Sequence, residues 1–185
     1  MNRIILIIVM LLACIHTQAQ RMLPRQKGLE ISTGILADSE IDQNYFINLS
    51  LTINGKNKGY WLLGTEYTRQ SADHKMFLIP LETYTAEGGY SLRIIANARK
   101  SINLNTAVLG IAGYETINRG KETLPDGAVI QNQEGFIYGA GGRLSLETYL
   151  GDKFTLIFQG KAKMLWGTSR DAFRPSAGLG LRYNF

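Results

Sequence analysis

Cysteine and histidine are nearly absent from this 185-residue chain. There is one cysteine, Cys14, and there are two histidines, His16 and His74. A single thiol excludes an internal disulfide and a zinc–thiolate cluster. Beyond the first twenty residues only His74 is left, so a His-based metal site or a Ser-His-Asp triad lacks its parts. Ser71, Asp73 and His74 share a polar stretch that reads as a solvated loop, with no orienting shell for chemistry. Gly139-x-Gly141-Gly142 is not a phosphate loop, because no Gly-Lys-Ser/Thr ending or helix follows it. Charge is also scarce, at 19% of residues, and the excess of +5 is too small to suggest nucleic-acid binding. The residues thus point to no catalytic, metal or cofactor site, and the chain is expected not to be an enzyme.

After the first twenty residues no apolar run is long enough to span a bilayer as a helix, and helical periodicity is hard to find. At the start, Arg3 precedes the ten-residue apolar run 4–13, and Thr17-Gln18-Ala19 offers small residues for a cut. This predicts a secretory signal peptide over 1–19, leaving 20–185 as a single domain. Removal of Arg3 with the leader lowers the charge to +4. Leu11-Leu12-Ala13-Cys14 resembles a lipobox, but the cut after Ala19 is preferred over lipidation of Cys14, because Thr17 and Ala19 offer a competing cleavage site.

What the chain has instead is glycine, with 20 residues, and aromatics, with nine Tyr, seven Phe and two Trp. They sit within nearly continuous alternation. Tyr45, Ile47, Leu49, Leu51 and Ile53 fall on one face of 45–54, with Asn48, Ser50 and Thr52 on the other. Nine stretches qualify as strands: 28–36, 45–54, 59–68, 76–85, 89–97, 102–115, 135–149, 153–166 and 174–185. Turn chemistry separates many of them, including Asn54-Gly55, Glu87-Gly88-Gly89, 97–101 and Gly151-Asp152.

Glu30, Glu66, Glu82, Arg93, Glu115, Arg143, Glu147, Lys161, Lys163 and Arg182 are all predicted to lie opposite the apolar face of their strand. Aromatics cluster near strand ends, as in Tyr45, Trp61, Tyr67, Tyr90, Phe136, Phe154, Trp166 and Tyr183. Several strands reach ten residues or more, against five or six for soluble ones. Long strands with aromatic ends and one apolar face fit an all-β, small antiparallel outer-membrane barrel better than a soluble sandwich. The last ten residues alternate up to Phe185, as the closing strand of such a barrel does. Even parity, with both termini on the periplasmic side, favours eight strands, with ten as the alternative. Nine candidates break that parity by one. Either 28–36 lies outside the barrel, or one strand is split or missed.

An eight-stranded interior is filled by side chains. Glu66, Glu82, Arg93, Glu115, Arg143, Glu147, Lys161, Lys163 and Arg182 are therefore expected to pair as a lumenal network, since unpaired charges there cost several kcal/mol each. A nucleic acid could not thread such an interior, and no direct nucleic-acid contact is expected. The connections 116–134 and 167–173 fall outside the cell. The first, with Asn118, Arg119, Lys121, Glu122 and Asp126, is the candidate contact loop.

The chain resembles the TraO family of conjugative-transposon transfer proteins of Bacteroides-type elements. The resemblance rests on Gln18-Ala19-Gln20, Gly28-Leu29-Glu30, Ile79-Pro80-Leu81 and Glu87-Gly88-Gly89-Tyr90. It continues with Gly113-Tyr114-Glu115-x-Ile117-Asn118, Phe136-x-Tyr138-Gly139 and Glu147-x-Tyr149-Leu150. It implies an outer-membrane component of the DNA-transfer apparatus, and no catalytic residue or cofactor. Expected partners are outer-membrane lipid, other transfer proteins, and the barrel-assembly machinery through the C-terminal strand. The alternative is a general surface barrel, an adhesin or small-ligand binder not needed for transfer.

Overall fold

Alternating residues force an extended chain to present two unlike faces, and such a sheet is stable only if each face meets a matching medium. The computed structural model describes residues 24–37, 44–56, 58–74, 77–98, 101–117, 134–169 and 171–185. They form eight strands and no helix: β1 (Lys27–Leu36), β2 (Tyr45–Asn54), β3 (Gly59–His74), β4 (Phe77–Ala96), β5 (Ile102–Ile117), β6 (Glu134–Tyr149), β7 (Phe154–Trp166) and β8 (Phe173–Asn184). Each strand pairs antiparallel with its sequence neighbours, and β8 pairs with β1, so the sheet is a closed barrel.

The parity problem has a simple resolution. The stretches 76–85 and 89–97 are halves of one strand, β4, and Glu87-Gly88-Gly89 is strand interior, not a turn. Gly89 is there for close approach. A Cβ on it would lie 2.0 Å from the Val108 carbonyl oxygen and 2.8 Å from the Leu109 side chain. Ser71, Asp73 and His74, read as loop residues, are instead the end of β3.

The stagger of the barrel can be read by walking along paired residues. The path leaves β1 at Lys27 and passes Ile53, Trp61, Tyr90, Val108, Gly142, Ala162 and Pro175. It returns to the first strand at Ala37, whose N–H donates to the Pro175 carbonyl, ten residues further on. Eight strands with that stagger tilt by about 40°, so a ten-residue strand rises about 25 Å, the height of a membrane barrel's apolar band.

The start of β1, the end of β8 and the strand ends that flank 55–58, 97–101 and 150–153 lie at one end of the barrel, the turn end. The opposite strand ends, among them those that flank 37–44, 118–133 and 167–172, form the loop end. The outer wall is apolar, with Val108 73% exposed and Leu63 65% exposed. Near the loop end Tyr45, Tyr67 and Tyr84 form a chain of ring contacts, centroids 6.2 and 5.1 Å apart. Tyr138 and Trp166 continue that belt. Trp61 and Tyr90, 5.0 Å apart, and Phe154, Tyr183 and Phe185 form a second belt at the turn end. Water would not tolerate this surface, whereas hydrocarbon between two interfaces matches it.

The seam is closed to the last residue. The Lys27 N–H donates to the Phe185 carbonyl at 3.2 Å, and the Phe185 N–H donates to the Lys27 carbonyl at 2.8 Å. Further up, Gly34 faces Gly178, and the buried Phe46 ring covers both. A Cβ on Gly178 would meet the Thr33 carbonyl at 2.4 Å and the Phe46 ring at 2.7 Å. Gly178→Val is therefore expected to open the seam and abolish the fast-migrating folded band on an unboiled gel. Gly160→Ala, on the outer wall with nothing nearer than 4.0 Å, should retain that band.

Candidate functional site

Inward positions carry two kinds of side chain. Tyr60, Leu62, Ala107, Leu109, Ile111, Ile137 and Leu165 form an apolar cluster in the lumen. The rest of the interior is polar, with Ser32, Asn48, Asn105 and Gln159 among its buried uncharged side chains, and its charges gather in three groups, each with equal numbers of acids and bases.

The first group joins β1, β6 and β8. Arg182 lies in register with Glu30, and its Nη2 donates to Glu30 Oε2 at 2.7 Å. Its two terminal nitrogens also fork onto Glu147, at 3.1 Å each. Arg143 Nη2 is 2.8 Å from Glu30 Oε1. The Tyr60 hydroxyl donates to Glu147 Oε1 at 2.6 Å, and the Arg182 guanidinium lies 4.4 Å from the Tyr60 ring centre. All of these side chains are buried. A bidentate guanidinium with shared acceptors satisfies most of the polar atoms that burial strips of water.

The second group spans the lumen from β3 and β4 to β7. Lys161 Nζ is 2.7 Å from Glu66 and 3.3 Å from Glu87. Lys163 contacts the same two carboxylates. The third group closes the loop end. Arg174 Nη2 donates to Glu115 Oε2 at 2.7 Å. The Thr168 hydroxyl and the Ser169 N–H also donate to Glu115, both at 2.9 Å at their nearest. The 167–172 connection is thus tied down onto the barrel. Between the second and third groups, the void bordered by Glu66, Thr83, Lys163 and Arg174 measures about 10 Å³. That is room for about one water molecule, so this part of the lumen is plugged.

Glu66, Glu115, Arg143, Glu147, Lys161, Lys163 and Arg182 all point inward as the alternation predicts. Two members of the predicted network do not join it. Glu82 stands on the outer wall, because β4 continues past the aromatic belt and polarity inverts there. Leu81 turns in to cap the core, and Glu82 lies opposite Arg69 beside the Tyr67 hydroxyl. Arg93 is half-exposed at the turn end, next to a register shift between Arg93 and Ile95. Three partners are additions. Glu87 is hidden from the sequence reading by the turn assigned to Glu87-Gly88-Gly89. Arg174 lies at the predicted edge of the last strand. Glu30 has the expected inward parity but was not assigned to the network. Tyr60 shares its face with Glu66, and that parity is the signal that could have found it. Asn118, Arg119, Lys121, Glu122 and Asp126 lie outside the described residues. Among the described residues no group of His, Cys, Asp and Glu could hold a metal ion.

The sequence matches the family model of conjugative transposon protein TraO over residues 23–185. The chain belongs to the TraO family. No curated protein matches it. Among solved structures the fold is similar to Neisserial surface protein A, with a TM-score of 0.60 at 8% identity over 86% of this chain and 95% of that one. It is also similar to the N-terminal β-barrel domain of Pseudomonas aeruginosa OprF, with a TM-score of 0.51 at 12% identity over 88% and 98%. Ail, the attachment invasion locus protein of Yersinia pestis, gives 0.50 at 15% identity over 86% and 95%. The fold of this TraO-family chain is therefore that of the small outer-membrane β-barrels.

The charge groups generate a stability prediction. Arg182→Met leaves Glu147 and part of Glu30 buried without a cation, which should cost about 3–5 kcal/mol. Urea titration of the barrel in lipid vesicles measures it. Adding Glu147→Gln to that variant should recover part of the loss.

Proposed function

We propose that this chain is an exported outer-membrane component of the transfer apparatus of a conjugative transposon, and that it acts structurally through protein contacts. The observation that carries this reading is the TraO match over residues 23–185. It is supported by a barrel whose outer wall suits hydrocarbon and whose lumen is filled. A filled lumen argues against a conduit for DNA, and the absence of a catalytic constellation in the sequence argues against chemistry. The turn end, where β1 starts and β8 ends, then faces the periplasm, and the loop end faces outward. Residues 1–19 serve as the export signal, and the terminal strand, paired to Phe185, is the segment that the barrel-assembly machinery would engage.

Contacts with other transfer proteins fall to the loop end. The 167–172 connection is held by Glu115, which leaves the longer 118–133 connection as the contact element.

In-frame deletion should lower mating frequency by orders of magnitude, with recovery on complementation in trans. Complementation by a chain whose residues 119–126 are replaced with a Gly-Ser linker should fail while the barrel still reaches the outer membrane. Unchanged transfer in the deletion strain would remove the transfer role and favour a general surface barrel.

A further inference from the structure

The three interior groups are each neutral, so the basic excess of the chain must lie elsewhere. It lies at the turn end. Arg25 and Lys27 stand at the β8–β1 seam, Lys56 and Lys58 in the β2–β3 turn, Arg93 at the end of β4, and Lys153 in the β6–β7 turn. All but the half-exposed Arg93 are exposed. The only Asp or Glu in the segments 20–27, 55–58, 93–101 and 150–153 is Asp152. The connecting segments of the loop end carry more acids than bases.

We propose that this ring binds the phosphates of anionic phospholipids in the leaflet around the turn end. Two features select lipid over a protein partner. The cations occur at all four closures of the rim, so they encircle the barrel. A globular partner would cover one side, whereas headgroups surround it. The ring also sits just beyond the turn-end aromatic belt. Lys27 is bonded through its backbone to Phe185 and paired with Ile53, and Lys58 lies three residues before the belt residue Trp61. Aromatics of such a belt lie at headgroup level, so cations just past them meet phosphate. The inference rests on the reading of the chain as a membrane barrel.

The two tryptophans make the test possible, since Trp61 lies at the turn end and Trp166 at the loop end, both on the outer wall. Trp166→Phe and Trp61→Phe each leave one reporter. Each protein is folded into phosphatidylcholine vesicles that contain a minor share of brominated phosphatidylcholine or brominated phosphatidylglycerol. Trp61 should be quenched more by the brominated anionic lipid, to an extent that corresponds to roughly twofold local enrichment. Trp166 should be quenched equally by both. The excess at Trp61 should vanish at about 0.5 M salt and in a K27Q/K56Q/K58Q variant that retains its folded gel band. Equal quenching of Trp61 by the two lipids overturns the proposal, as does an equal excess at both tryptophans. Quenching of neither tryptophan by either lipid overturns the membrane-barrel reading itself.

Discussion

Backbone hydrogen bonding is the constraint on which the rest of this structure depends. A sheet in hydrocarbon has no water to satisfy the N–H and C=O groups of an edge strand, so it must close on itself. Here closure is carried to the last residue, with Lys27 and Phe185 exchanging both of their bonds. The ten-residue stagger follows from the same ladder, and with eight strands it sets the tilt and the width of the lumen. Glycine at Gly34, Gly89 and Gly178 serves that ladder too, by admitting a neighbouring carbonyl or ring where a Cβ would collide.

A closed eight-stranded wall leaves an interior too narrow for a channel and too polar on several strands for an ordinary core. The chain resolves this by arranging its interior charges as neutral groups. Arg182 serves Glu30 and Glu147 together, and two lysines share Glu66 and Glu87. Burying a charge is tolerable only when its partner is close and its remaining polar atoms are bonded. Apolar inward positions, Leu62, Leu109, Ile111, Ile137 and Leu165, pack together in one buried cluster. The result is a cylinder filled by its own side chains.

Most of the architecture was legible in the sequence because side-chain direction in a strand has period two and leaves little freedom. The 45–54 stretch, the terminal stretch to Phe185 and eight inward charges, Glu30 among them, were read from that alone. The split of β4 and the loss of Glu87 share one cause. Gly88 and Gly89 beside Glu87 look like a turn, since glycine marks both turns and close approaches, and local pattern does not separate them. Taking them as a turn split β4 and hid Glu87. Glu82 failed for a different reason. Parity assigns a residue to a wall, but polarity says which wall only within the apolar belt, and β4 runs beyond it.

Sequence by itself therefore determined most of the strands, their two faces and the short turns at 54–55, 97–101 and 151–152, because each follows from residues adjacent in the chain. Only the tertiary structure decided which charges meet. Lys161 and Glu66 are 95 residues apart, and Glu30 and Arg182 are 152 apart. No periodicity within a strand encodes such pairings. They are set by the stagger with which eight tilted strands close, and a shift in that stagger would give the same faces and a different set of ion pairs.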